Sequence, residues 1–122
     1  MVKKIKKELQ DPEVFEEVLR EEISVSSEFV LPISVLVLRV EGGWSDEAAR
    51  RALDALRAAD LVCRPEPNEI LIALPNTTTR DARVVEKRLR ETLPEAVVGV
   101  APFTSGDTAG DLIKRARVSG GI

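Results

Sequence analysis

Histidine and tyrosine are absent from this chain, and cysteine and tryptophan occur once each. Without histidine there is no imidazole to serve as general base or metal ligand, which excludes Ser–His, Cys–His and zinc–histidine chemistry. The lone Cys63 allows no internal disulfide; lying in an apolar strand pattern, it reads as a small buried hydrophobe. Aromatic residues make up only 3%, too few for the sheet-borne stacking by which many RNA binders hold bases. The net charge of −3 and a pI near 5.1 lack the basic footprint of nucleic-acid binding. No apolar run approaches the ~18 residues that span a bilayer, and no signal peptide is evident. Gly-x-Gly-x-x-Gly and Walker loops are missing too. The expectation is a cytoplasmic protein with neither nucleic acid nor membrane as partner.

What is present suits one soluble domain: 122 residues, 43% hydrophobic and 32% charged. Residues 1–10 read as a lysine-rich helical lead-in, with Val2, Ile5 and Leu9 on one stripe. Asp11-Pro12-Glu13 is a helix start: an acidic N-cap, proline at the first position, then acid near the positive end of the dipole. Val14, Phe15, Val18, Leu19 and Ile23 continue an apolar face to about residue 24. Residues 32–40 are almost continuously apolar and β-branched, the pattern of a buried central strand. Gly42-Gly43 turns the chain, and Ser45 caps a helix with Ala49, Ala52, Leu53 and Leu56 inward. Strands follow at 61–64 and 69–74, joined by a turn at Pro65–Asn68. A helix at 79–92, a strand at 96–101 and a helix at 108–117 complete the pattern, and 118–122 read as a flexible tail. Two βαβ units around a hairpin imply an α+β, ferredoxin-like fold. The expected sheet is antiparallel and four- to five-stranded, with its helices packed on one face.

Within that frame, Arg57-Ala-Ala-Asp60 followed by Glu66-Pro67-Asn68-Glu69-Ile70 resembles the Arg-x-x-Asp and Gly-Gly-Asp-Glu-Phe segments of GGDEF diguanylate cyclase domains. The likeness spans residues 11–117: Phe15–Ile23 resembles that family's opening helix, Leu31–Leu38 its first strand, Leu71–Thr77 the strand after the signature, and Asp111–Ala116 its terminal helix. It implies a degenerate member. The family's chemistry needs two carboxylates that hold Mg²⁺. This chain has Arg39 where the first belongs, in Arg39-Val40-Glu41, and Asn68 where the second belongs. Glu69 matches the fourth signature letter and not the metal-ligand position. Glu66 and Pro67 replace the two glycines that let backbone approach phosphates. The guanine-holding stretch after the first strand is missing and the loop is shortened to Glu41-Gly-Gly-Trp-Ser45. The resemblance therefore implies no catalysis, no metal and no cofactor.

It also implies a surviving regulatory site. In the family, Arg-x-x-Asp and an arginine on the helix after the signature bind cyclic di-GMP, often across a dimer interface. Position by position these are Arg57, Asp60 and Arg88. Arginine forks onto guanine O6 and N7 or onto phosphate, and a carboxylate accepts from guanine N1 and N2. Asp60 reads as the C-terminal end of a helix, where a negative charge costs ~0.3–1 kcal/mol, so a role beyond helix stability is suggested. The alternative is an exposed i,i+3 ion pair worth ~0.2–0.5 kcal/mol, with Arg88 one charge on a solvated face. Trp44 reads as a lid on the core or a stacking platform. Arg39 is expected to pair with Glu41 or Glu66, or to face solvent. Two functions stay open: an inactive signalling domain that binds cyclic di-GMP, or a protein-interaction and dimerisation module without a ligand. Partners would be a second copy or another signalling domain.

Overall fold

Every position of Ile33–Leu38 is buried, and that single fact organises the molecule. Side chains alternate across a strand, so a strand apolar at each position must be covered on both faces. In the computed structural model, which describes residues 8–122, the two faces of strand β1 (Ile33–Arg39) serve two separate cores. Leu36 and Leu38 pack in one, and Ile33, Val35 and Val37 in the other. Strand β3 (Glu69–Pro75) divides the same way, with Ile70, Ile72 and Leu74 on the first side and Leu71 and Ala73 on the second.

The elements run α1 (Pro12–Phe29), β1, α2 (Asp46–Asp54), β2 (Leu61–Glu66), β3, α3 (Thr79–Thr92), β4 (Val97–Pro102) and α4 (Ala109–Ser119). The sheet has the order β2-β3-β1-β4 with antiparallel neighbours throughout, as the α+β ferredoxin-like reading requires. Helices α2 and α3 cover one face with Ala49, Ala52, Leu53, Ala82 and Leu89. The other face is closed by α1 through Phe15 and Leu19 and by α4 through Leu112 and Ala116. Helices on one face only is thus corrected to helices on both, and the uninterrupted apolar run of β1 is the reason.

Asp11 caps α1 by accepting from Glu13 N, with proline at the first position. The helix continues to Phe29, past the expected end near residue 24, and stops at Val30 in the left-handed conformation. Of the expected lead-in, residues 1–7 lie outside the described residues. Glu8 and Leu9 are not helical, and Gln10 forms a parallel bridge beside Cys63, its N–H donating to Val62 O at 2.8 Å. The tail expected at 118–122 begins inside the last helix. Helix α4 runs to Ser119, Gly120 N donates to Ala116 O and Ile122 N to Arg117 O. Gly99 and Gly120 let β4 and α4 touch backbone to backbone; a Cβ on Gly99 would collide with the Ala116 carbonyl. No helix among the described residues is long and apolar enough to cross a membrane.

Candidate functional site

The first candidate region is the β2–β3 hairpin, where the signature-like residues lie. Pro65 and Glu66 belong to β2, so the turn itself is Pro67-Asn68. Glu66 pairs with Glu69 across it, after a register shift from Cys63. The shortened β1–α2 loop is fastened onto this turn. Trp44 N donates to Pro67 O at 3.0 Å and Val40 N to Asn68 O at 3.0 Å. Arg64 binds Pro67 O through Nε and Nη2 at 3.2 and 2.8 Å, and Trp44 O through Nη2 at 2.9 Å. Gly43, at φ +96°, brings its backbone close enough that a Cβ there would lie 3.5 Å from Pro67 O. The loop and turn therefore hold each other by their carbonyls. Trp44 is buried in the α2–α3 core, which fits the lid and not the platform.

Behind the turn, Glu69 is 1% exposed and its carboxylate is taken by two arginines. Its cross-strand partner Arg39 donates from Nη2 to Oε2 at 3.0 Å. Arg117 on α4 donates from Nε to Oε2 at 3.1 Å and from Nη2 to Oε1 at 2.6 Å. Arg39 thus pairs with Glu69, not with Glu41 or Glu66. Burial pushes the Glu69 carboxyl up, but the hydrogen bonds and charges of Arg117 and Arg39 outweigh it and hold the group below its ordinary value. The same bond raises Arg117. One carboxylate between two guanidiniums, beside the neutral Asn68, does not fit a divalent cation. Among the described residues no group of three or more acidic, cysteine or histidine side chains could hold one.

The second region is the Arg57–Asp60 turn. Helix α2 ends at Asp54, so Asp60 does not sit at a helix terminus, and the dipole argument falls away. Asp60 N donates to Arg57 O at 3.1 Å, and the carboxylate accepts from Arg57 N at 2.8 Å and Nη2 at 3.0 Å. The same Nη2 reaches Thr77 Oγ1 at 2.6 Å, and Thr77 is anchored to Pro75 O by its hydroxyl and to Pro32 O by its N–H. Asp60 is 2% exposed and the Arg57 side chain 58%, so this is no ordinary surface pair. A buried carboxylate and a fixed hydroxyl aim a guanidinium outward. Arg88 is exposed on α3 and makes no described bond to either residue. It lies ten residues along the helix from Thr78, about 15 Å at 1.5 Å per residue. Arg57 and Asp60 come together; Arg88 stands apart.

Thr77, Arg64 and Arg117 went unnoticed in the sequence. Thr77 had a faint signal, because Asn76-Thr-Thr-Thr holds more hydroxyls than the one N-cap, Thr78, that α3 requires. Arg117 had none, being 48 residues from its carboxylate.

No protein-family model and no curated protein matches the sequence. Solved structures do match in shape. The GGEEF domain of a diguanylate cyclase from Vibrio cholerae superposes with a TM-score of 0.80 at 15% identity, covering 91% of this chain and 88% of that one. The GGDEF domain of DgcB from Caulobacter crescentus, solved in complex with c-di-GMP, gives 0.80 at 12% identity, covering 98% and 90%. Diguanylate cyclase SiaD from Pseudomonas aeruginosa, solved with its activator SiaC, gives 0.79 at 24% identity; there the match covers 94% of this chain and only 57% of SiaD. An α+β sheet of order β2-β3-β1-β4 with helices on both faces, superposing at this level, is the fold of a GGDEF domain.

Proposed function

We propose that this GGDEF-fold domain is a catalytically inactive signalling domain that receives cyclic di-GMP through Arg57, positioned by Asp60, with Arg88 contributed from a second copy. The observation that carries inactivity is Arg39, a cation at the position where the family resemblance expects the first Mg²⁺ carboxylate, paired there with Glu69. What supports the receptor reading is Arg57, whose exposed guanidinium is already oriented, so less side-chain entropy is lost when a ligand binds. Its guanidinium suits either guanine O6 and N7 or a phosphate. Asp60 acts through Arg57, since its carboxylate is buried beneath that side chain.

Titration calorimetry tests this. Binding at tens of micromolar is expected, lost in Arg57→Ala and weakened in Arg88→Ala, with melting curves confirming that both variants fold. Absence of heat would remove the receptor reading, and turnover of GTP with Mg²⁺ would remove the inactive one. The second reading, an interaction module without a nucleotide, is favoured by the complete use of Asp60 inside the fold. Light scattering separates the two: association independent of the dinucleotide belongs to the interaction module.

A further inference from the structure

Helix α1 carries two apolar stripes where a surface helix needs one. Phe15 and Leu19 pack in the core. The second stripe faces solvent: Val14 is 47% exposed, Val25 42%, and Val18 lies half-buried between them. Each of these valines is followed three residues later by an exposed glutamate, Glu17, Glu21 and Glu28, on the same face of the helix. None of the three glutamates is in an ion pair among the described residues. Their charge works against the helix itself. Glu17 and Glu21 form a like-charge i,i+4 pair, and Glu28 sits at the negative end of the dipole, in a last turn without a basic residue.

The other side of the molecule offers the complement. Helix α3 turns Ala82 and Leu89 to the core and presents Arg80, Val84 and Lys87 outward, at spacings of four and three. Val84 is 54% exposed. Val84 and Lys87 thus repeat the layout of Val18 and Glu21 with the sign reversed. Arg83 and Arg90 are held by Glu86, whereas Arg80 and Lys87 have no ion pair among the described residues. Glu91 is the single acid on this stripe, and Arg88 beside it is a further cation. By sequence, α1 holds six glutamates against one arginine, and α3 five cations against three acids.

We infer that these faces bind each other between copies of the chain: the valine–glutamate face of α1 on one molecule docks on the valine–cation face of α3 on the next. Valines meet at the centre and opposite charges lie beside them, an apolar core with a polar rim. Helices α1 and α3 cover opposite faces of the sheet, so the contact is heterologous and stacks copies head to tail. It needs no nucleotide and does not use Arg57, so its failure would leave the receptor reading untouched.

Sedimentation velocity on the full chain without nucleotide, from micromolar to several hundred micromolar, tests it at about 50 mM and about 500 mM salt, the latter screening charges within a few ångströms. The wild-type mass is expected to rise at least twofold at low salt and to stay monomeric at high salt. A chain with Glu17→Lys and Glu21→Lys, and another with Arg80→Glu and Lys87→Glu, should each remain monomeric, because like charges then meet. Their equimolar mixture should assemble as wild type does, since each reversed face complements the other. Glu17→Gln with Glu21→Gln replaces a reversed chain that fails to fold, and should associate several-fold more weakly than wild type. A wild-type chain monomeric throughout, assembly indifferent to salt, a variant that assembles alone like wild type, or a mixture that stays monomeric would each overturn the inference.

Discussion

Glu69 shows how one residue can keep its place in a pattern and change its work. Aligned with an acidic letter of the cyclase signature, it serves here as the shared counter-ion of Arg39 and Arg117, bridging β1, β3 and α4. Removing its charge leaves two guanidiniums facing each other over an amide. Glu69→Gln is expected to lower stability by about 1–3 kcal/mol, the cost of losing charge-assisted hydrogen bonds to a buried carboxylate, read as a lower urea midpoint with unchanged slope. Cys63 is the second residue with a legible consequence. Burial, with lesser repulsion from Glu69 and Asp11, pushes its thiol from 9.0 up to about 12. A raised value means that the folded chain keeps a proton which the unfolded chain releases above pH 9.0. That contribution is whole below pH 9 and is lost between pH 9 and 12, at up to about 1.4 kcal/mol per unit. Thermal melts from pH 8 to 11 should therefore fall more steeply in wild type than in Cys63→Ala; parallel curves would contradict it.

Among the elements, the β1–α2 loop bears most on the proposed loss of catalysis. Gly43 and Trp44 close onto the Pro67 carbonyl, so loop and hairpin become one unit instead of two walls of a cleft. The end of α1 shows the opposite tendency, a strained stop left in solvent. Val30→Gly relieves the left-handed conformation while adding some backbone entropy to the unfolded chain. A net gain of about 1 kcal/mol is expected, seen as a higher melting temperature; a loss would mean that Val30 makes a contact worth more than its strain. Helix α3 and the end of α4 also protect the free edge of β4. Arg90 donates to Val98 O at 2.8 Å, and Ser119 Oγ accepts from Val100 N at 3.5 Å, which blunts an edge open to strand addition.

For the molecule as a whole, two carboxylates set the acid limit. Asp107 is held well below the usual carboxylate range, chiefly by the hydrogen bond from Arg115 and further by the Thr104 backbone and hydroxyl, against the opposing effect of burial. Glu69 is held below its ordinary 4.5 by Arg117 and Arg39. Both bind fewer protons folded than unfolded, so their stabilisation is complete above their ordinary values and is lost as pH falls. The urea midpoint should be flat from pH 8 to 5 and decline below about pH 4.5, with a shallower decline in Glu69→Gln. A midpoint that rises on acidification would contradict both assignments.

Local signals by themselves determined the element order, because capping and turn chemistry act over a few residues. Asp11-Pro12, Ser45 and Thr78 start helices where their side chains meet N–H groups of the first turn. The apolar run at 32–40 marked a buried central strand, while its coverage by helices on both faces came only with the tertiary structure. Partnerships between distant charges needed the tertiary structure. Arg39 meets Glu69 only through the β1–β3 register, and Arg117 reaches it only because α4 crosses the second face of the sheet. Asp60 looked like the end of a helix because Leu56-Arg57-Ala-Ala is a good helical sequence; the chain leaves α2 at Asp54 so that Asp60 can fold under Arg57. Short-range hydrogen bonding is written in neighbouring residues, whereas the neutralisation of a buried charge depends on which strands and helices converge on it.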